Sequence, residues 1–127
     1  MNMLKIDALI QCRSHWQWIY DNTERLMLKN LLITADDIKS AYFEKNYTYS
    51  IPVVGCFCCE YDKKFFSNCR HCPLIGFAWK KHCIYDTEDF PSLFAVWWSS
   101  VSARNIIAAC RNAKGMVDAC TLALEKE

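Results

Sequence analysis

Cys56-Phe57-Cys58-Cys59 and, after a gap of nine residues, Cys69-Arg70-His71-Cys72 place two C-x-x-C pairs at the middle of a chain of 127 residues. Two residues between cysteines let one tight turn present both sulfurs to one ion, and two such turns complete a tetrahedron. Cys56, Cys59, Cys69 and Cys72 meet that requirement with no further assumption, which points to a single structural Zn2+. The gap is shorter than the roughly 15–20 residues of a zinc ribbon, so a compact knuckle pair or a treble-clef-like arrangement is expected. Cys58, His71, His82 and Cys83 lie in the same stretch and are alternate ligands. Cys58 can replace Cys56 or Cys59, Cys83 can replace Cys72, and a histidine can be swapped into the set. A second ion on the spare four, or an iron–sulfur cluster on the same thiolates, are further options. Four thiolates leave no coordination position open to water, so the metal reads as structural rather than catalytic. The chain also lacks H-E-x-x-H and the H-x-E ahead of P-C-x-x-C of nucleotide deaminases.

The compartment decides what nine cysteines mean. Met1-Asn2-Met3-Leu4-Lys5-Ile6-Asp7 lacks the basic-then-apolar order of a signal peptide. The longest apolar block elsewhere, residues 93–98, is far short of the roughly 20 residues needed to span a membrane. A cytoplasmic protein without a membrane partner is therefore expected, and in a reducing cytosol paired cysteines bind metal more often than they form disulfides. Hydrophobic residues make up 53% of the chain, with only three prolines and three glycines. That is ample material for a core and argues against disorder and against a many-turned β-sandwich. A formal charge of +1 leaves no electrostatic footprint for nucleic acid.

Outward from the cysteines the chain reads as helices. Leu4, Ala8, Leu9, Cys12, Trp16 and Ile19 recur at three- and four-residue steps and predict an amphipathic helix over 4–20. Asp21-Asn22-Thr23 is expected to interrupt it before a second helical piece over 24–32, with Leu26, Met27, Leu31 and Leu32 apolar. Thr34-Ala35-Asp36-Asp37 reads as an N-cap and an acidic first turn, opening a helix to about residue 44 with Ile38, Ala41 and Tyr42 inward. Residues 46–52 are expected to be extended, with Pro52 as a stop. Residues 60–68 should form a short hairpin or loop, and the apolar 73–79 should pack over the metal site. Pro91 suits a helix start, and 92–99 should be a short helix carrying Trp97 and Trp98. Ser102 is expected to cap a last helix whose seam is Ile106, Cys110, Ala113, Val117, Cys120 and Leu124, with Gly115 off that seam. Cys12, Cys110 and Cys120 read as small buried hydrophobes, and His15 as a hydrogen-bonded helix histidine.

The expected fold is therefore mainly α with a small β zinc-knuckle insert, its helices packed around a four-cysteine zinc module. It forms one domain, with N-terminal helices over 1–45, the zinc module over 46–85 and C-terminal helices over 86–127.

His15-Trp16, then Cys56-x-x-Cys59-Glu60-Tyr61, then Cys69-x-x-Cys72-Pro73-Leu74, with Cys83 as a later cysteine, resembles a group of small cysteine-rich proteins of tailed bacteriophages and prophages. The likeness covers roughly the first two thirds of the chain. It implies zinc binding and an accessory role during infection, in the host cytoplasm, without a defined reaction.

The leading functional expectation is a non-enzymatic accessory protein that binds a host or viral protein through aromatic residues, which interfaces favour. Trp16 and Trp97 fall on apolar helix faces, whereas Trp18 and Trp98 point elsewhere and are the candidate contacts. A nucleic-acid-binding zinc protein is the alternative: Lys63, Lys64, Arg70, Lys80 and Lys81, with neighbouring aromatics, gather around the metal module. A thiol oxidoreductase using Cys56 and Cys59 lacks the βαβ context that gives a redox C-x-x-C its meaning. A homodimer through the Ile106-to-Leu124 seam is a further option.

Overall fold

A computed structural model of the protein describes residues 4–46, 57–63, 71–79 and 92–127, and the fold there is mainly helical. Helix α1 (Lys5–Lys29) turns Ala8, Cys12, Trp16, Ile19, Thr23 and Met27 inward along one stripe. It runs through Asp21-Asn22-Thr23 without the expected break. The Asn22 side-chain amide donates to the Trp18 carbonyl at 2.8 Å, and the Thr23 hydroxyl donates to the Ile19 carbonyl at 2.6 Å. Both turn-forming side chains are thus satisfied on the helix's own carbonyls and no longer compete with its backbone. The helix stops one turn before the predicted end, where the Asn30 side chain accepts the Leu32 N–H at 3.0 Å in an Asx turn. Leu31 and Leu32 consequently lie outside the helix and are 76% and 84% exposed, and Leu4 is exposed as well.

Helix α2 (Ala35–Asn46) begins on a reciprocal capping box. The Asp37 N–H donates to the Thr34 hydroxyl at 3.1 Å, and the Thr34 N–H donates to the Asp37 carboxylate at 2.9 Å. Ile38 and Phe43 are buried, with Tyr42 half-buried beside them. Helix α3 (Phe57–Lys63) starts directly after Cys56. It corrects the expected hairpin over residues 60–63, which are helical. Phe57 and Cys58 are buried, and α3 packs against α1. Among the described residues the β-type pairing is a single bridge between Ile75 and Trp79. The extended approach at 47–52 and the second half of the predicted hairpin lie outside the described residues.

Residues 71–79 fold into a tight turn. The Leu74 carbonyl accepts from the Phe77 and Ala78 N–H groups at 3.0 and 2.9 Å, and the Gly76 N–H donates to the Trp79 carbonyl at 2.7 Å. Gly76 has φ +86°, a conformation open to glycine and strained for other residues. Leu74, Ala78 and Trp79 of the apolar run are buried. The Ala78 carbonyl then accepts the N–H of Leu93 at 2.9 Å, satisfying one of the orphan donors at the start of the next helix.

That helix, α4 (Leu93–Ser102), is capped by Ser92, whose hydroxyl accepts the Ala95 N–H at 3.2 Å. Helix α5 (Ile106–Glu125) is capped by Asn105 rather than by Ser102, which still belongs to α4. The turn between them is a Schellman motif. The Arg104 N–H reaches the Val101 carbonyl at 3.0 Å, and the Asn105 N–H reaches the Ser100 carbonyl at 2.9 Å. Arg104 occupies the left-handed position at φ +59°, and its guanidinium donates to the Ile33 carbonyl in the α1–α2 loop.

Helices α1 and α5 run antiparallel, with Lys5 paired to Glu127 at 3.1 Å at one end. The middle of the predicted seam, Ala113, Val117 and Cys120, is buried, and α5 packs on α1 and α4 of the same chain. The buried stripe is shifted from that seam toward Ala109, Met116, Ala119 and Ala123, leaving Ile106, Cys110 and Leu124 half-buried. Small side chains along this stripe let the α5 backbone approach its neighbours closely. Gly115 faces α4: a Cβ there would stand 3.4 Å from a Leu93 methyl. Among the described residues, no helix is long and apolar enough to cross a membrane.

Candidate metal centre and aromatic groove

His15 and Trp16 sit at the junction of three helices, and both are buried. The His15 ring stacks on Tyr42 at 4.7 Å between centroids and meets the edge of Phe43 at 4.8 Å. Its Nε2 lies 3.0 Å from the Lys39 carbonyl. A carbonyl only accepts, so Nε2 carries the proton and donates. Trp16 meets Trp97 edge to face, with centroids 4.9 Å apart and planes at 88°, a favoured geometry for aromatic pairs. The His-Trp pair thus pins α1 to α2 and α4. Cys12 and Cys120 are buried as expected, while Cys110 is only half-buried. Burial, with the nearby Glu24 charge as a second cause, pushes the Cys110 thiol up from its ordinary value.

Of the leading metal ligands, Cys72 is described and its side chain is buried. Of the alternates, Cys58 is fully buried in the core and His71 is exposed. The side chains of Cys56, Cys59 and Cys69, and those of His82 and Cys83, lie outside the described residues. So do those of Lys63, Lys64, Arg70, Lys80 and Lys81. Among the described residues no three potential ligands converge. Asp62, on α3, is 6% exposed, and its carboxylate accepts the backbone N–H of His71 at 2.7 Å. His71 is the residue before Cys72, and Asp62 follows Cys59 by three. This hydrogen bond ties the backbone next to Cys72 to helix α3. A buried acid between the two pairs carries no spacing signature, so pattern reading passed over it.

No protein family, curated protein or solved structure matches this chain.

The aromatic candidates separate. Trp98 is half-buried and, with Phe94, Ala95 and Ser99, lines an open cavity of about 330 Å³ on α4. These four positions are spaced one, three and one apart and share one helical face. The core side of the same helix buries Trp97 and Val101. Phe94 and Trp98 lie 5.8 Å apart between centroids, and the Lys39 ammonium stands 4.8 Å over the Phe94 ring. Trp18 is half-buried but turns its edge to Tyr42 at 5.9 Å. Like Phe94 and Trp98 it packs against the edge of the core, but it does not line the cavity. Phe94 escaped notice in the sequence because it falls within a continuous apolar block that hides its face.

Proposed function

We propose that this protein is a non-enzymatic interaction module, stapled by one structural zinc ion, that docks a protein partner on the outer face of α4. The observation that carries the reading is the cavity beside Trp98 and Phe94, on a helix that also buries Trp97 and Val101 in the core. Half-buried tryptophan beside an open apolar cavity is the kind of anchor that dominates protein interfaces. The zinc would be held by Cys56, Cys59, Cys69 and Cys72, with Cys58, His71, His82 and Cys83 as alternates. Its contribution is a fixed tetrahedral crosslink with no open site for a reacting group. Resemblance of the His-Trp and C-x-x-C segments to phage and prophage accessory proteins supports a host or viral protein as the partner, in the host cytoplasm.

The test compares wild type with Trp98→Ala as baits in lysate of a bacterial host. A partner held by wild type and lost from Trp98→Ala, with unchanged far-ultraviolet circular dichroism, supports docking on α4. Equal capture by both proteins, or none by wild type, overturns it. Zinc is tested separately by elemental analysis of natively purified protein, where about one ion per chain is expected for a single four-ligand site.

A further inference from the structure

We propose that the partner segment docked on α4 is acidic as well as apolar: an apolar side chain enters the cavity beside Trp98 and Phe94, and a neighbouring carboxylate pairs with Lys39. The inference rests on the docking reading above, names the chemistry of its partner and does not depend on the metal. Phe94 belongs to two features at once. It lines the cavity, and the Lys39 ammonium stands 4.8 Å from its ring centroid. An apolar opening and a positive charge therefore meet at one ring. That charge is held from both ends. The Lys39 carbonyl accepts from the buried His15 Nε2 at 3.0 Å, and the ammonium rests over the Phe94 ring. The ring face attracts the cation but offers it no oxygen, so the ammonium keeps donors for an incoming carboxylate. The ion pairs among the described residues, Lys5 with Glu127 and Lys114 with Asp118, leave Lys39 without a carboxylate of the protein's own. A half-buried cation fixed in this way loses less freedom on pairing than a fully solvated lysine does. A basic partner would set like charges together, which disfavours it at the same surface.

The probe is a random linear peptide library displayed on yeast, selected on immobilised wild type, Lys39→Glu and Trp98→Ala, each checked by far-ultraviolet circular dichroism. Peptides that bind wild type and not Trp98→Ala define the α4 set. That set is expected to carry aspartate or glutamate close to an aromatic or aliphatic residue. Lys39→Glu should bind the same set about tenfold or more weaker at low salt, and the gap should narrow as salt is raised. Replacing the acid of a selected peptide by lysine should restore its binding to Lys39→Glu. Should Lys39→Glu not fold, Lys39→Met carries the test. It keeps the stem and removes the charge, and should bind the α4 set about threefold weaker, as loss of one partly exposed ion pair implies. An α4 set without acid preference overturns the assignment and leaves docking on α4 standing. Equal affinity of that set for wild type and Lys39→Glu, or for wild type and Lys39→Met where the glutamate variant is unfolded, does the same. A library that yields no Trp98-dependent binder overturns the docking reading itself.

Discussion

His15 shows how one side chain can serve both aromatic packing and a hydrogen bond. It lies inside a cluster of Trp16, Tyr42, Phe43 and Phe57, with its Nε2–H on the Lys39 carbonyl. Leucine there would approximate the volume but not the donor, and would lose the hydrogen bond to the Lys39 carbonyl. His15→Leu is expected to lower unfolding free energy by about 1–3 kcal/mol in urea titration. Asp37 offers a test by pH. The Thr34 N–H, and then the Thr34 hydroxyl, hold its carboxyl below the ordinary value. A carboxylate depressed by folding stabilises the native state above the unfolded pKa, and that stability is lost as pH falls through the lowered native value. Wild type should therefore lose stability on acidification below the usual carboxylate range, and Asp37→Asn should lose less over the same interval. Identical acid limbs in urea midpoints against pH would reject the capping box as an energetic contributor. The cap at Thr34 and its acidic first turn were legible in Thr34-Ala35-Asp36-Asp37 because capping is local chemistry, whereas the return bond from the Thr34 N–H to Asp37 came from the structure. The bond between Asp62 and the His71 N–H was not legible, because the two residues lie nine apart in the sequence and no spacing rule links them.

At the level of elements, helices were legible wherever apolar positions kept their period against charged ones, as in Ala8, Cys12, Trp16 and Ile19. Boundaries failed where a polar side chain had two possible uses. Thr23 and Asn22 can open a turn or bond back to the preceding helical turn, and α1 chose the second because Thr23 faces the core. Ser102 and Asn105 can both cap, and the Schellman turn at Arg104 moved the start of α5 to Asn105. This turn makes a prediction of its own. A non-glycine residue in the left-handed region costs about 1–2 kcal/mol, and Arg104 offsets part of that through the Ile33 carbonyl. Arg104→Ala keeps the strain and loses the bond, whereas Arg104→Gly loses the bond and the strain together. The glycine variant should be the more stable of the two by about 1 kcal/mol in chemical denaturation. Gly115 should behave differently. An added methyl would meet only the mobile end of Leu93 at ordinary contact distance. Gly115→Ala is therefore expected to stabilise α5 by roughly 0.5–1 kcal/mol through helix propensity, seen as a rise in melting temperature. A fall would mean that α4 cannot shift to admit even one carbon.

For the whole molecule the question is how far the proposed metal would hold the fold. An apparent binding free energy of about 10–16 kcal/mol for a structural zinc ion matches or exceeds the entire stability of a typical domain, about 5–15 kcal/mol. If every helix depended on the ion, its removal would unfold the chain outright. The distribution of buried side chains argues for a graded outcome. Trp16 and Ile19 on α1, Trp97 and Val101 on α4, and Ala113 and Met116 on α5 form a core contributed by the two flanks of the cysteine module. The module meets that core through Phe57, Cys58, Cys72 and Leu74. Stripping zinc with a strong chelator should free the module while α1, α4 and α5 stay folded around Trp97. The far-ultraviolet helical signal at 25 °C should then keep most of its amplitude. The melting midpoint should fall by about 10 °C or more, the shift expected when an ordered domain of this size loses a few kcal/mol. An unchanged midpoint would mean that the four thiolates hold no structural ion. Complete loss of helical signal would mean that the flanks cannot stand without it, and that Trp16 and Trp97 meet only because the cysteines bring α1 and α4 together.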